Sequence, residues 1–200
     1  MNHVSRRSLL GLGGVGVAGA LALSACGSRT ASPEASSSDA DSDGAGSGTW
    51  PRTVTDAQGE VTIEAQPAKV VSTSPSVTGT LLAIDAPVVS SAAASPSPLT
   101  DDKGFFTQWA SAADERGVDV LYSNLEFDLE AVINADPDLV VVSSSGKDSL
   151  QEDQLASLKE QFTVLVVDYN KQSWQDLATQ LGAALGLEDK ASAAATDFDT

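Results

Sequence analysis

Asp136-Pro137-Asp138-Leu139-Val140-Val141-Val142-Ser143 is the stretch that decides the fold. From Leu139 to Val142 there is no polar side chain, and the three β-branched valines stiffen an extended backbone. A strand without polar alternation is buried on both faces, as strands of parallel sheets covered by helices are. Just upstream, Asp136-Pro137 closes any helix that precedes it. That helix opens at Asp128, a capping residue, with Leu129, Val132 and Ile133 on one face. Downstream, residues 150–161 read as a further helix and 162–167 as another buried strand. Trp174, Leu177, Ala178, Leu181 and Leu185 then mark an amphipathic helix.

Toward the N-terminus the same alternation continues. Residues 53–63 read as a hairpin turning near Ala57-Gln58-Gly59, residues 69–73 as a strand and 76–84 as a helix. Residues 87–91 form the next strand, and a Ser/Pro-rich loop runs to Pro98. Residues 105–113 read as a helix with Phe105, Phe106, Trp109 and Ala113 on one side. Strand–helix alternation of this kind predicts one α/β lobe around a parallel, Rossmann-like sheet. A last helical run starts near Glu188 and continues to Thr200 with no capping residue, which predicts that the chain stops before its natural end.

The first 26 residues have the layout of an export signal: Arg6 and Arg7, then an apolar run from Leu9 to Leu23. That run is short of the roughly 20 residues a membrane span needs. It ends in Leu23-Ser24-Ala25-Cys26, which resembles the lipobox of bacterial lipoproteins. The resemblance implies lipidation at Cys26 and an extracytoplasmic, membrane-anchored chain. Ser5-Arg6-Arg7-Ser8-Leu9-Leu10 also fits a twin-arginine signal, and the general and twin-arginine routes both stay open. Residues 27–49 are almost wholly Ser, Ala, Gly and Asp, a composition that cannot bury a core. They read as a disordered tether with an r.m.s. reach of about 25 Å.

Composition narrows the chemistry. Cys26 is the only cysteine and His3 the only histidine, and both lie in the leader region. Once Cys26 is acylated, the folded part has neither thiolate nor imidazole, which removes the soft metal ligands and the commonest general base. No resident metal or cofactor is therefore expected, and catalysis is disfavoured. A formal charge of −17 repels nucleic acid and anionic headgroups alike, so neither is an expected partner, and a monomer is the simplest assembly.

Pro51-Arg52-Thr53-Val54-Thr55-Asp56, Pro67-Ala68-Lys69-Val70-Val71 and Gly79-Thr80-Leu81-Leu82-Ala83-Ile84-Asp85-Ala86-Pro87-Val88 stand in an order that resembles iron–siderophore-binding proteins of the helical-backbone type. Gly104-Phe105-Phe106-Thr107-Gln108-Trp109 and Lys171-Gln172-Ser173-Trp174-Gln175 bring the likeness close to the ferric-enterobactin-binding kind. The resemblance covers residues 50–200. It implies a two-lobe periplasmic-binding fold in which one long helix joins the lobes and the ligand sits between them. Residues 50–187 would be the N-terminal binding lobe and 188–200 the start of that helix, with the second lobe absent. The implied function is capture of a ferric siderophore, a catecholate of the enterobactin kind, and its delivery to an ABC permease and ATPase.

Ligands of open α/β sheets bind at the C-terminal ends of the strands. Four loops there carry the candidate residues. Ser74, Ser76 and Thr78 offer hydroxyls and a helix N-terminus suited to an anion, although Ser74 or Ser76 could equally be an ordinary cap. Ser95 and Pro98 belong to a stiff loop, Tyr122 and Asn124 offer an aromatic face and an amide, and Ser145 and Lys147 a hydroxyl and a cation. The family often places an arginine in the second loop, where this sequence has Pro98. Lys147 is then the one cation of the four loops, which leaves a hydroxamate siderophore, haem or cobalamin open as alternative ligands. Glu130 matches a family glutamate that docks the permease; as a bare residue it is a solvated surface carboxylate. Readings of other classes are a hydrolase using Ser144 or Ser145 with Lys147, and a surface adhesin lobe. The first lacks a Gly-x-Ser-x-Gly elbow.

Overall fold

A computed structural model describes residues 48–198. The export signal expected over 1–26, with Cys26, and nearly all of the tether expected over 27–49 lie outside the described residues. The chain opens with an antiparallel hairpin, β1 (Arg52–Asp56) and β2 (Gly59–Ile63), with Asp56 opposite Gly59. Gly59 supplies the turn with φ of 140°, a conformation that side chains rarely adopt.

Five strands then build one wholly parallel sheet in the order β5-β4-β3-β6-β7. They are β3 (Val70–Ser72), β4 (Val88–Ser91), β5 (Asp119–Val120), β6 (Leu139–Ser143) and β7 (Val164–Val167). The helices are α1 (Pro75–Ala83), α2 (Ala110–Glu115), α3 (Leu129–Ala135), α4 (Glu152–Lys159), α5 (Trp174–Leu185) and α6 (Glu188–Phe198).

The two-residue period of a strand sorts its side chains between two layers. Leu139 and Val141 of β6, with Leu165 and Val167 of β7, join Val77, Leu81, Leu177, Ala178, Leu181 and Leu185 in one cluster. Val140 and Val142, with Val164 and Val166, join Val132 and Leu158 in the other. All five residues of β6 are buried, as its unbroken apolar run requires.

Local rules set the element ends. Asp128 Oδ1 accepts from the backbone N–H of Glu130 at 2.9 Å and of Ala131 at 3.1 Å, capping α3. Ser173 Oγ accepts from Asp176 N at 3.1 Å at the start of α5, and Gly186 ends it with φ of 72°. The turn of the hairpin docks on the outer edge of β7: Asp56 Oδ2 accepts from Val166 N at 2.9 Å, and Ala57 N donates to Val166 O at 2.8 Å. The first turn of α6 is clasped from two sides, by Arg52 on Glu188 at 2.5 Å and by Lys190 on Asp85 at 2.9 Å. Arg116 also reaches Asp85, at 2.8 Å.

Two expectations need correction. The helix expected over 105–113 starts only at Ala110, because Asp101 Oδ1 accepts from Lys103 N and Phe105 N and holds the preceding segment in a turn. Phe105 is nonetheless fully buried, packed against Trp109 with ring centroids 5.0 Å apart and the planes tilted by 40°. Ile133 is 43% exposed and does not share the inner face with Val132. A seven-residue helix turns only a narrow strip inward, and Val132 fills it. The short edge strand β5, whose two residues are exposed, was not foreseen.

Candidate functional site

Strand order changes direction at β3: the chain runs outward from β3 to β4 and β5, then returns to place β6 on the other side of β3. The gap above the C-terminal ends of β3 and β6 is thus the topological switch point, where such sheets hold ligands. A cavity of about 420 Å³ opens there, lined by Pro75, Ser76, Ala94, Ser95, Phe106, Leu125, Lys147, Asp148 and Tyr169. A smaller one of about 200 Å³ adjoins it through Leu125, Lys147 and Asp148 and reaches Tyr122, Phe127 and Gln154.

Residues of three of the four expected loops, Ser76, Ser95 and Lys147, line the larger cavity, and Leu125 extends the loop of Tyr122 and Asn124 into it. Tyr122 lies in the smaller cavity, edge-on to Phe127 at 5.9 Å. Its hydroxyl faces the Thr73 carbonyl at 3.5 Å, and burial pushes its pKa well above the ordinary phenol value. Lys147 is exposed and makes no hydrogen bond or ion pair among the described residues. Glu130 is exposed on the first turn of α3, on the side away from Val132.

Other candidates sit elsewhere. Ser74 and Thr78 are fully buried beneath the cleft rather than facing it. Thr78 Oγ1 is 2.7 Å from Ser91 Oγ and donates to the Ser74 carbonyl at 3.0 Å, the back-bonding to the i−4 carbonyl common for a helical Thr. Pro98, Asn124 and Ser145 line neither cavity. Pro98 is carried off by the Ser97–Thr100 turn, in which Thr100 Oγ1 accepts from Ser97 N at 2.8 Å. Asn124 adopts a left-handed conformation (φ 57°), which a short polar side chain tolerates. The loop of Ser145 folds back on Ser143, whose Oγ donates to the Ser145 carbonyl at 2.8 Å and accepts from its N–H at 3.1 Å.

The residue that organises the cleft went unforeseen. Asp148 is only 6% exposed and lies at the floor of both cavities. Its Oδ2 accepts from Ser74 Oγ at 2.5 Å and from Ser76 N at 3.3 Å; its Oδ1 accepts from the Tyr169 hydroxyl at 2.8 Å. One carboxylate thus ties together the segments that follow β3, β6 and β7. Ser74 occupies the N-cap of α1 without making a capping bond of its own, and Asp148 supplies that bond from across the switch point. Burial is the main cause raising the Tyr169 pKa, with Asp148 adding to it, so the phenol remains a donor. Gly146 makes this possible: with φ of +83°, a Cβ there would fall 1.7 Å from the Tyr169 hydroxyl. Sequence alone offered only an Asp beside a Lys in a polar loop.

Compared with known proteins, the chain matches the family model described as periplasmic binding protein over residues 70–200. It is 44% identical over 153 residues to the ferric enterobactin-binding periplasmic protein FepB of Escherichia coli, covering 75% of this chain and 47% of that relative. Among solved structures, holo-ViuP is 45% identical with a TM-score of 0.68, over 76% of this chain and 49% of ViuP. Staphylococcus aureus SirA complexed with staphyloferrin B shares the fold alone, at 20% identity and a TM-score of 0.60, over 74% of this chain and 47% of SirA. The chain spans about half the length of these relatives.

Proposed function

Because the chain belongs to the periplasmic binding protein family, we propose that it captures a ferric siderophore on the extracytoplasmic side of a membrane and passes it to an ABC importer. The observation that carries this reading is the cavity at the switch point, where the loops after β3, β4, β6 and β7 meet. Its lining suits a preformed chelate. Phe106, Leu125 and Tyr169 offer apolar and aromatic area, while Ser76, Ser95 and Lys147 offer polar edges. A siderophore satisfies its own iron, so the protein needs to supply only shape, hydrogen bonds and charge. Identity of 44% with a protein named for ferric enterobactin favours a catecholate ligand.

In this reading Cys26 carries the lipid anchor, residues 27–49 form the tether, and residues 50–187 are the N-terminal lobe. Helix α6 is the beginning of the helix that joins it to a second lobe. Glu130, exposed on α3, is the contact for a permease arginine. The hydrolase reading gains nothing: Ser144 Oγ donates to the Val167 carbonyl at 3.3 Å, and no hydrogen bond among the described residues joins Ser144 or Ser145 to Lys147. The test is titration of the full-length protein with ferric catecholates and ferric hydroxamates, read by quenching of its Trp and Tyr fluorescence. Saturable quenching at micromolar concentration or below by a member of the panel is expected. A flat response to every chelate would refute the proposal.

A further inference from the structure

We propose that Asp148 and its neighbour Lys147 set the charge selectivity of the cleft, Asp148 offsetting the cation and so narrowing its preference for strongly anionic chelates. The inference rests on the reading of the cleft as a ferric-siderophore site and concerns which siderophores it accepts.

Three observations lead to it. First, among the described residues Lys147 and Asp148 are the only charged residues lining the two adjoining cavities, and both residues line both of them. At the cleft floor the two formal charges sum to zero. Second, the position that would otherwise favour an anion is already filled. Backbone N–H groups at a helix N-terminus attract negative charge, yet the Ser76 N–H at the start of α1 points to Asp148 Oδ2. The nearby hydroxyl donors, Ser74 and Tyr169, are directed at the same carboxylate. An anionic ligand meets these donors already engaged and meets a fixed negative charge behind them. Third, Asp148 is held from three sides and is only 6% exposed, so it cannot swing away and solvent screens it poorly.

The consequence depends on ligand charge. A trianionic ferric tris-catecholate is repelled by Asp148 and attracted by Lys147, so the two charges act against each other on it. A neutral ferric tris-hydroxamate is indifferent to both and binds by shape and hydrogen bonds. Asp148 therefore narrows the advantage that Lys147 alone would give to anionic chelates.

The test compares affinities of the full-length protein for these two chelates, by fluorescence quenching at low ionic strength, in the wild type and two variants. Asp148→Asn is isosteric and removes the charge. It should shift the ratio of affinities at least about tenfold toward the trianion. Lys147→Gln, at an exposed position without a hydrogen-bond or ion-pair partner among the described residues, should shift the ratio the opposite way. A role confined to holding the loops together would weaken both chelates in parallel and leave the ratio unchanged. An unmoved ratio in Asp148→Asn overturns the inference, and should that variant not fold, an unmoved ratio in Lys147→Gln does so. If the wild type binds neither chelate, the ferric-siderophore reading itself fails and takes this inference with it; binding with an unmoved ratio overturns the inference alone.

Discussion

Replacing Gly146 by alanine tests whether the loop after β6 is shaped around the Tyr169–Asp148 contact. Two costs can be separated. The φ of +83° is strained for any residue with a Cβ, which costs about 1–2 kcal/mol. The new Cβ would also fall 1.7 Å from the Tyr169 hydroxyl and 2.8 Å from Asp148 Oδ1. Tyr169 would have to withdraw, breaking its 2.8 Å hydrogen bond to the carboxylate. Loss of a hydrogen bond to a charged group is worth about 1.5–3 kcal/mol, giving a total of about 2.5–5 kcal/mol. Gly117 provides the internal control. It too has positive φ (+68°), but a Cβ there meets nothing within 4 Å, so Gly117→Ala should cost only the strain. Urea unfolding of the two variants, followed by far-UV circular dichroism, measures the difference. Gly146→Ala should be the less stable by at least about 1.5 kcal/mol. Equal midpoints and equal slopes would show that the packing of Tyr169 on this loop does not hold in solution.

Asp128→Ala removes both capping bonds of α3 and should destabilise the protein by about 1 kcal/mol, with Asp128→Asn recovering most of it in the same unfolding assay. Leu181 is fully buried on α5, and Leu181→Ala should cost about 2–5 kcal/mol in urea unfolding; a smaller loss would mean that the helix does not pack as described. Asp85 should give an acid-side signature. Its carboxyl is held below the ordinary carboxylate value chiefly by the hydrogen bond from Lys190, with Arg116 contributing. A lowered folded-state pKa means that the stabilisation is complete above about pH 4, the unfolded value, and fades as pH falls through the folded one. Asp85→Asn keeps a residue suited to its positive φ and should flatten the fall in stability below about pH 4. An unchanged acid limb would show the two ion pairs to be energetically silent, as many exposed pairs are.

The architecture was legible wherever a local rule decides it. An apolar run such as 139–142, short, β-branched and preceded by Asp136-Pro137, points to a strand buried on both faces, and Asp128 announces a helix because its cap is made two and three residues away. The hairpin turn at Gly59 follows from the same short-range logic. The candidate site was legible only as a set of loops. That the loops after β3, β4 and β6 would meet follows from the rule about strand ends, but which side chains face the cavity depends on contacts between distant segments. Asp148 bonds to residues 74, 72 and 21 positions away, and nothing in Lys147-Asp148-Ser149 signals this. Thr78 illustrates the reverse: it was expected to face the cleft from α1, but its hydroxyl is satisfied by Ser91 and Ser74 in the interior.

The docking of the hairpin on Val166 has a further effect. Both main-chain groups of that residue are occupied from outside the sheet, so this flank offers no ready template to an extended segment of another molecule. The opposite flank ends in a strand of two residues, too short to recruit one firmly. A sheet blunted on both sides can be crowded against its own copies without zipping into them.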